Sequence, residues 1–187
     1  MTVLIALGSL SLSACANEGP GSGGNTNFVA GPDGIATAAK GERQPVGTIK
    51  GETLQGEPLD IADFRGEVVV INVWGSWCPP CRAEAPYLTK VAKEMKGKGV
   101  AFVGINTRDS GKTAPKAFEE NFSISYPSLY DPKGKTILSG FPRGTVSLKG
   151  LPATIVLDRS ENIAARAFGG VDDVALHKMI DPLLEEK

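Results

Sequence analysis

Histidine is almost missing from this 187-residue chain: His177 stands alone, beside only three cysteines. A tetrahedral zinc site takes four Cys, His or acidic donors, so one is hard to assemble here and no metal is expected. An excess of charge is lacking too. The 20 Lys and Arg nearly balance the 21 Asp and Glu, leaving a formal −1, which gives no basis for binding nucleic acid or an anionic membrane surface. No apolar run reaches the roughly 18 residues of a transmembrane helix. The first apolar run, Val3 to Leu12, has no Lys or Arg ahead of it, although a secretory signal usually carries a basic start. What remains is 41% hydrophobic residues, enough for one packed domain with room for a tail.

Val3-Leu4-Ile5-Ala6-Leu7-Gly8-Ser9-Leu10-Ser11-Leu12 has the length of a signal peptide rather than a membrane span. It runs into Leu12-Ser13-Ala14-Cys15, which resembles the lipobox of bacterial lipoproteins. The resemblance implies a signal peptide over 1–14, cleavage before Cys15, and a lipid on that sulfur. The mature chain would then be held on the outer face of the cell membrane. Such a lipid also accounts for the odd cysteine, otherwise an exposed thiol in an oxidising compartment. Residues 15–46 follow as a Gly-rich linker, with Glu18 to Asn27 and Gly31-Pro32-Asp33-Gly34 offering few large apolar groups. About 30 such residues reach about 30 Å. The folded domain is expected over 47–187.

The chain is organised around Val68-Val69-Val70-Ile71-Asn72-Val73-Trp74-Gly75-Ser76-Trp77-Cys78-Pro79-Pro80-Cys81-Arg82-Ala83-Glu84. Residues 68–74 are apolar on both faces except at Asn72, the mark of a buried central strand. Gly75-Ser76 breaks the run, and two cysteines separated by two prolines open a helix predicted from Pro79 to Lys96. Proline suits a first turn, where its missing N–H has no partner anyway. The unpaired N–H groups and positive dipole end at a helix start stabilise a thiolate. In such motifs cysteine pKa values fall from about 8.5 to roughly 3.5–7.5. The local chemistry is that of a redox-active dithiol.

This segment resembles the active site of the thioredoxin superfamily, and within it the TlpA/ResA/DsbE-like extracytoplasmic thiol–disulfide oxidoreductases. The resemblance implies a thioredoxin-like α/β fold, a central mixed sheet flanked by helices, with an N-terminal hairpin and a TlpA-type insertion. It implies no cofactor beyond the Cys78–Cys81 disulfide itself. Asp60 to Gly66 matches a helical turn that many members place before the central strand, and Gly150-Leu151-Pro152-Ala153-Thr154 matches the cis-proline that packs beside the dithiol. Leu151 and Pro152, with Trp77 and Pro79, are thereby candidates for contact with substrate. Glu84 lies three residues after Cys81, on the same helix face. In the family a glutamate there handles the proton of the second cysteine.

The rest of the domain reads in order. A hairpin is expected around Thr48–Leu59. The central helix should bury Ala83, Leu88, Val91, Ala92 and Met95, with a kink at Pro86. Asn72, where thioredoxin proper has an acid, is expected to bond buried backbone, and Trp74 to serve the core. Val100 to Asn106 should be a parallel strand. Asn106 at the end of that strand, with Arg108 and Asp109 just beyond it, could touch substrate, though loop solvation is the first expectation. A helix over Ala114–Asn121, a strand near Tyr126–Asp131, a loop from Gly140, strands at Ala153–Leu157 and Ile163–Phe168, and a last helix carrying a surface His177 complete the reading.

Position makes Cys78 the nucleophile, exposed ahead of the helix, and Cys81 the shielded resolving thiol. The implied partners are disulfides of exported proteins, including apocytochrome c, and a membrane thiol carrier of the CcdA type that recharges the enzyme. A reductant of this kind and a disulfide-forming oxidant share the same residues. A peroxiredoxin is disfavoured, because Gly75, Ser76 and Trp77 lack the threonine of that family's Pro-x-x-x-Thr-x-x-Cys frame. A tethered, non-catalytic binding module is the reading from another class, and an inert dithiol would distinguish it.

Overall fold

The computed structural model describes residues 27–186; the expected signal peptide, Cys15 and the first part of the expected linker lie outside them. The second part of that linker is not a coil. Strands β1 (Val29–Ala30) and β2 (Ile35–Thr37) form a hairpin, turned at Gly31-Pro32-Asp33-Gly34. Asp33 Oδ1 accepts from the Ile35 N–H at 3.2 Å, and Gly34 supplies the positive φ of +81° that the turn requires. Few apolar residues suffice because β2 adds to an existing sheet edge and buries Ile35 in the core. Arg43 then holds Asp158 at 3.1 Å and Glu186 at 2.6 Å, fixing the following segment to the far end of the domain.

The expected hairpin is present as β3 (Lys50–Glu52) and β4 (Pro58–Asp60), a separate antiparallel pair. Asp60 caps the short helical turn Ile61–Phe64 by accepting from the Ala62 N–H at 3.0 Å. Strand β5 (Val68–Trp74) is buried at every residue. Helix α1 (Pro79–Met95), strand β6 (Val100–Thr107), helix α2 (Thr113–Asn121) and strand β7 (Ser128–Asp131) follow. A short helix α3 (Lys135–Gly140) fills the gap between the expected strand and the expected loop, where the sequence reading placed no element. The Asp131 carboxylate builds its start, accepting from the N–H groups of Lys135 at 2.8 Å and Ile137 at 3.1 Å. Strands β8 (Ala153–Leu157) and β9 (Ile163–Phe168) and helix α4 (Asp173–Glu185) close the chain.

The main sheet has seven strands in the order β1-β2-β9-β8-β5-β6-β7. β5, β6 and β7 run parallel, while β8 lies antiparallel to β5 and starts the antiparallel half. One face packs under α1 and α4 around Leu88, Val91, Met95, Leu176 and Ile180. The other face buries Ile71, Val103, Ile105, Leu129 and Ile155 with Ile137 of α3. This is the mixed, helix-flanked sheet of the thioredoxin-like fold. In α1 the buried face is Cys81, Glu84, Ala85, Leu88, Thr89, Val91 and Met95, Ala92 is half-buried, and Ala83 is exposed. The apolar pattern misplaced Ala83 because the position that faces inward is held by a carboxylic acid.

Candidate active site

Cys78 and Cys81 form a disulfide at the start of α1. Cys78 is the N-cap residue, and its Sγ accepts from the Cys81 N–H at 3.3 Å. That bond is available to a thiolate after reduction, together with the positive end of α1. The exposure expected of Cys78 is not found in the oxidised pair: Cys78 and Cys81 are 2% and 1% exposed. Both sulfur-bearing side chains turn into an apolar cluster of Leu54, Trp74, Ala85 and Phe118, against which Leu151 also packs. Trp74 is a core residue, stacked on Phe118 with ring centroids 4.4 Å apart.

Beneath the pair lies Glu84, only 2% exposed. Its Oε1 accepts from Asn72 Nδ2 at 2.8 Å and its Oε2 from the Val171 N–H at 3.1 Å. Burial raises its pKa from the ordinary 4.5 to about 7, against the opposing effect of those two donors. The Asn72 amide also donates to Thr154 Oγ1 at 3.3 Å. Its partners are therefore side chains on α1 and β8, not the backbone the sequence suggested. This follows from register: Thr154 sits directly opposite Asn72 on the neighbouring strand. Glu84 also borders a cavity of about 360 Å³, walled by Asp33, Tyr87, Gly170, Val171 and Asp172.

The remaining candidates frame the mouth. Pro79 is exposed, and the Leu151–Pro152 peptide is cis, with Leu151 half-buried and Pro152 buried. Trp77 is 46% exposed. Its indole lies so close over Gly75 that a Cβ there would come within 2.7 Å of Nε1, so any larger residue would force the ring to shift. Asp109 is buried rather than solvated. Its Oδ1 accepts from Ser76 Oγ at 2.6 Å, and its Oδ2 from the Ser76 N–H at 2.9 Å and from Asn106 Nδ2 at 2.8 Å. The acid thus ties the turn before Cys78 to the end of β6. Sequence reading left Asp109 in solvent because its partner lies 33 residues away and no local pattern marks the contact.

His177 lies on the surface of α4 beside Asp181 and Glu94, remote in sequence from the dithiol. Among the described residues, no group of three or more His, Cys, Asp or Glu is placed to hold a metal ion.

A family model described as Redoxin matches residues 39–178. The thiol–disulfide oxidoreductase ResA of Halalkalibacterium halodurans is 27% identical over 135 residues, covering 72% of this chain and 73% of that protein. The thiol:disulfide interchange protein DsbE of Pseudomonas aeruginosa is 32% identical over 128 residues, covering 68% of this chain and 66% of that protein. Among solved structures, a DsbF homologue from Corynebacterium diphtheriae matches with a TM-score of 0.74 and 38% identity, over 82% of this chain and 95% of that one. A secreted thiol-disulfide isomerase from Corynebacterium glutamicum matches with a TM-score of 0.76 and 33% identity, over 88% of this chain and 100% of that one.

Proposed function

This chain belongs to the redoxin family and is a thiol–disulfide oxidoreductase of the TlpA/ResA/DsbE-like kind, and from that premise we propose that it works outside the cytoplasm, tethered to the membrane through Cys15, reducing disulfides in exported proteins. The resemblance to ResA and DsbE points to apocytochrome c as one such substrate and to a membrane thiol carrier of the CcdA type as electron source. One observation carries the chemistry: Cys78 caps α1 with its sulfur on a backbone N–H, while a buried carboxyl with a pKa near neutrality sits one helical turn beyond Cys81.

In the reduced enzyme the Cys78 thiolate attacks one sulfur of the substrate disulfide. A mixed disulfide forms and the other substrate sulfur leaves as a thiolate. Glu84 takes the proton of Cys81, whose sulfur then attacks Cys78 and expels the second substrate thiolate. Two electrons have passed to the substrate, and the enzyme is left as the Cys78–Cys81 disulfide seen here. A pKa of about 7 suits Glu84 to this task, because the group can accept and return a proton near neutral pH.

Similarity to the corynebacterial DsbF homologue and secreted isomerase favours a second reading, in which the same dithiol oxidises or reshuffles its substrates. The reduction potential separates the two. A value near −270 mV makes the protein a reductant, and a value near about −120 mV makes it an oxidant. The reduced protein should also cleave insulin disulfides, and Cys78→Ala should not; failure of the unaltered protein would return the chain to the class of binding modules, and cleavage by the variant would remove Cys78 from the nucleophile's role. For the tether, Cys15→Ser should move the protein into the soluble fraction, and unchanged fractionation would remove the lipid from the account.

A further inference from the structure

Three cationic side chains around the dithiol stand outside the ion pairs of the described residues. Arg82 follows Cys81 directly, and its guanidinium carbon lies 5.7 Å and 5.2 Å from the ring centroids of Phe118 and Phe122. Arg108 lies at the other side, 4.6 Å from the centroid of the Trp77 ring. Arg108 also donates from Nη1 to the Leu148 carbonyl at 3.2 Å, which brings it to the segment that leads into the cis-proline. Exposed Lys149 is next in that segment. Among the described residues, none of Arg82, Arg108 and Lys149 is in an ion pair, whereas Lys90, Lys112, Lys178 and Arg65 each hold a carboxylate. Asp109, the acid beside Arg108 in sequence, is buried and makes its hydrogen bonds to Ser76 and Asn106 and not to Arg108.

This local excess is not a product of composition, since the whole chain carries a formal −1. Nor is Arg108 loosely placed. Its backbone holds φ at +61°, a left-handed conformation uncommon for a residue with a side chain. Observed departures of this kind are a starting point for a functional hypothesis. Stacking a guanidinium on an aromatic face leaves its N–H edge directed outward in a fixed fork, the geometry that receives a carboxylate with two parallel bonds.

We propose that this rim is a docking surface for an extended substrate segment bearing Asp or Glu close to its reactive cysteine, with Arg108 setting the preference. The inference rests on the redox function proposed above. The backbone of the incoming segment would lie along Leu148–Pro152, the disulfide over Cys78, and the flanking carboxylate on the Arg108 fork above Trp77. Attraction of this type acts mainly on the rate of encounter and weakens with salt.

The test uses three synthetic peptides with the same disulfide, flanked by Asp, Ser or Lys, and second-order rate constants for reaction with the reduced protein by stopped flow. The Asp peptide should react about three- to tenfold faster than the Ser peptide, and the Lys peptide more slowly, with the spread collapsing in about 0.5 M salt. Arg108→Gln should remove most of the Asp advantage and Arg108→Glu should reverse the order. Arg82→Gln, which leaves Trp77 untouched, should narrow the spread by a smaller factor. Equal rates for the three peptides, or an equal slowing of all three in Arg108→Gln, would overturn the docking surface while leaving the enzyme intact. Failure of all three to react with the unaltered protein would overturn the redox function itself.

Discussion

The two sides of the dithiol are built on opposite terms. Below it, Glu84, Asn72, Thr154 and the Val171 N–H form a closed polar set inside the core, each group meeting a partner. Above it, Trp77 is open to solvent, and Arg82 and Arg108 rest on aromatic rings and form no ion pair among the described residues. In a buried set every polar atom needs a partner, because the desolvation cost is otherwise too high. On a rim, a charge is fully hydrated and can be kept for an incoming molecule. In the proposed reading the lower side tunes a proton and the upper side selects a substrate, with the apolar cover of the sulfurs between them.

That division can be broken or sharpened by five substitutions. Cys78→Ala has the largest expected effect, complete loss of insulin reduction with the fold retained. Cys81→Ala should instead trap a mixed disulfide with substrate, visible as a covalent adduct on a non-reducing gel. Equal behaviour of the two would contradict their different roles.

Glu84→Gln comes next. Loss of a positioned proton acceptor should slow resolution of the mixed disulfide by about 100-fold, leaving its formation much less affected. Stability gives a second readout. Folded Glu84 keeps its proton to about pH 7, whereas an unfolded chain releases it near 4.5. Between those values the native state binds more protons than the unfolded state, so this group's contribution falls as pH rises from 4.5 to about 7 and stays low above that. The change is about 3 kcal/mol. A urea titration of Glu84→Gln across the same window should lack that slope; an unchanged slope would place the titration elsewhere.

Asp109→Ala tests the frame of the upper side. It leaves the Ser76 N–H and the Asn106 amide without their acceptor, for a loss of about 2–3 kcal/mol in denaturant unfolding. Turnover should drop several-fold through the displaced Ser76–Trp77 turn. The drop should be accompanied by a shifted Cys78 thiolate titration, which a purely global destabilisation would not produce. Smallest in chemistry is Ile35→Ala. It removes the buried side chain that anchors β2 and should cost about 2 kcal/mol, while the rate of thiol exchange at Cys78 stays unchanged. A large fall in that rate would show that the hairpin, whose Asp33 borders the Glu84 cavity, acts on the lower side of the site.

Much of this was written locally. A strand of seven apolar residues, a glycine, and two cysteines around two prolines specify a buried strand, a turn and a capped helix through short-range rules alone, and they identify the dithiol. Asp60 ahead of its helical turn was legible for the same reason, whereas Leu151-Pro152 ahead of β8 was legible through the family resemblance that the dithiol segment carries. Three features were not. The segment at 29–37 has too few apolar residues to order by itself, and it folds because β9 offers it an open edge. Asn72 was set among backbone groups, yet its amide reaches Glu84 and Thr154, 12 and 82 residues along the chain. Asp109 was set in solvent, and it is buried on Ser76.

The sequence by itself determined which atoms can react, since that depends on residue type and spacing within one strand–turn–helix. Only the tertiary structure decided what surrounds them: a carboxyl pushed toward neutrality by its burial, an acid fixing the turn, and a cation laid over the tryptophan. Each of those depends on groups far apart in the chain meeting in a medium of low dielectric, where position and not identity sets the energy.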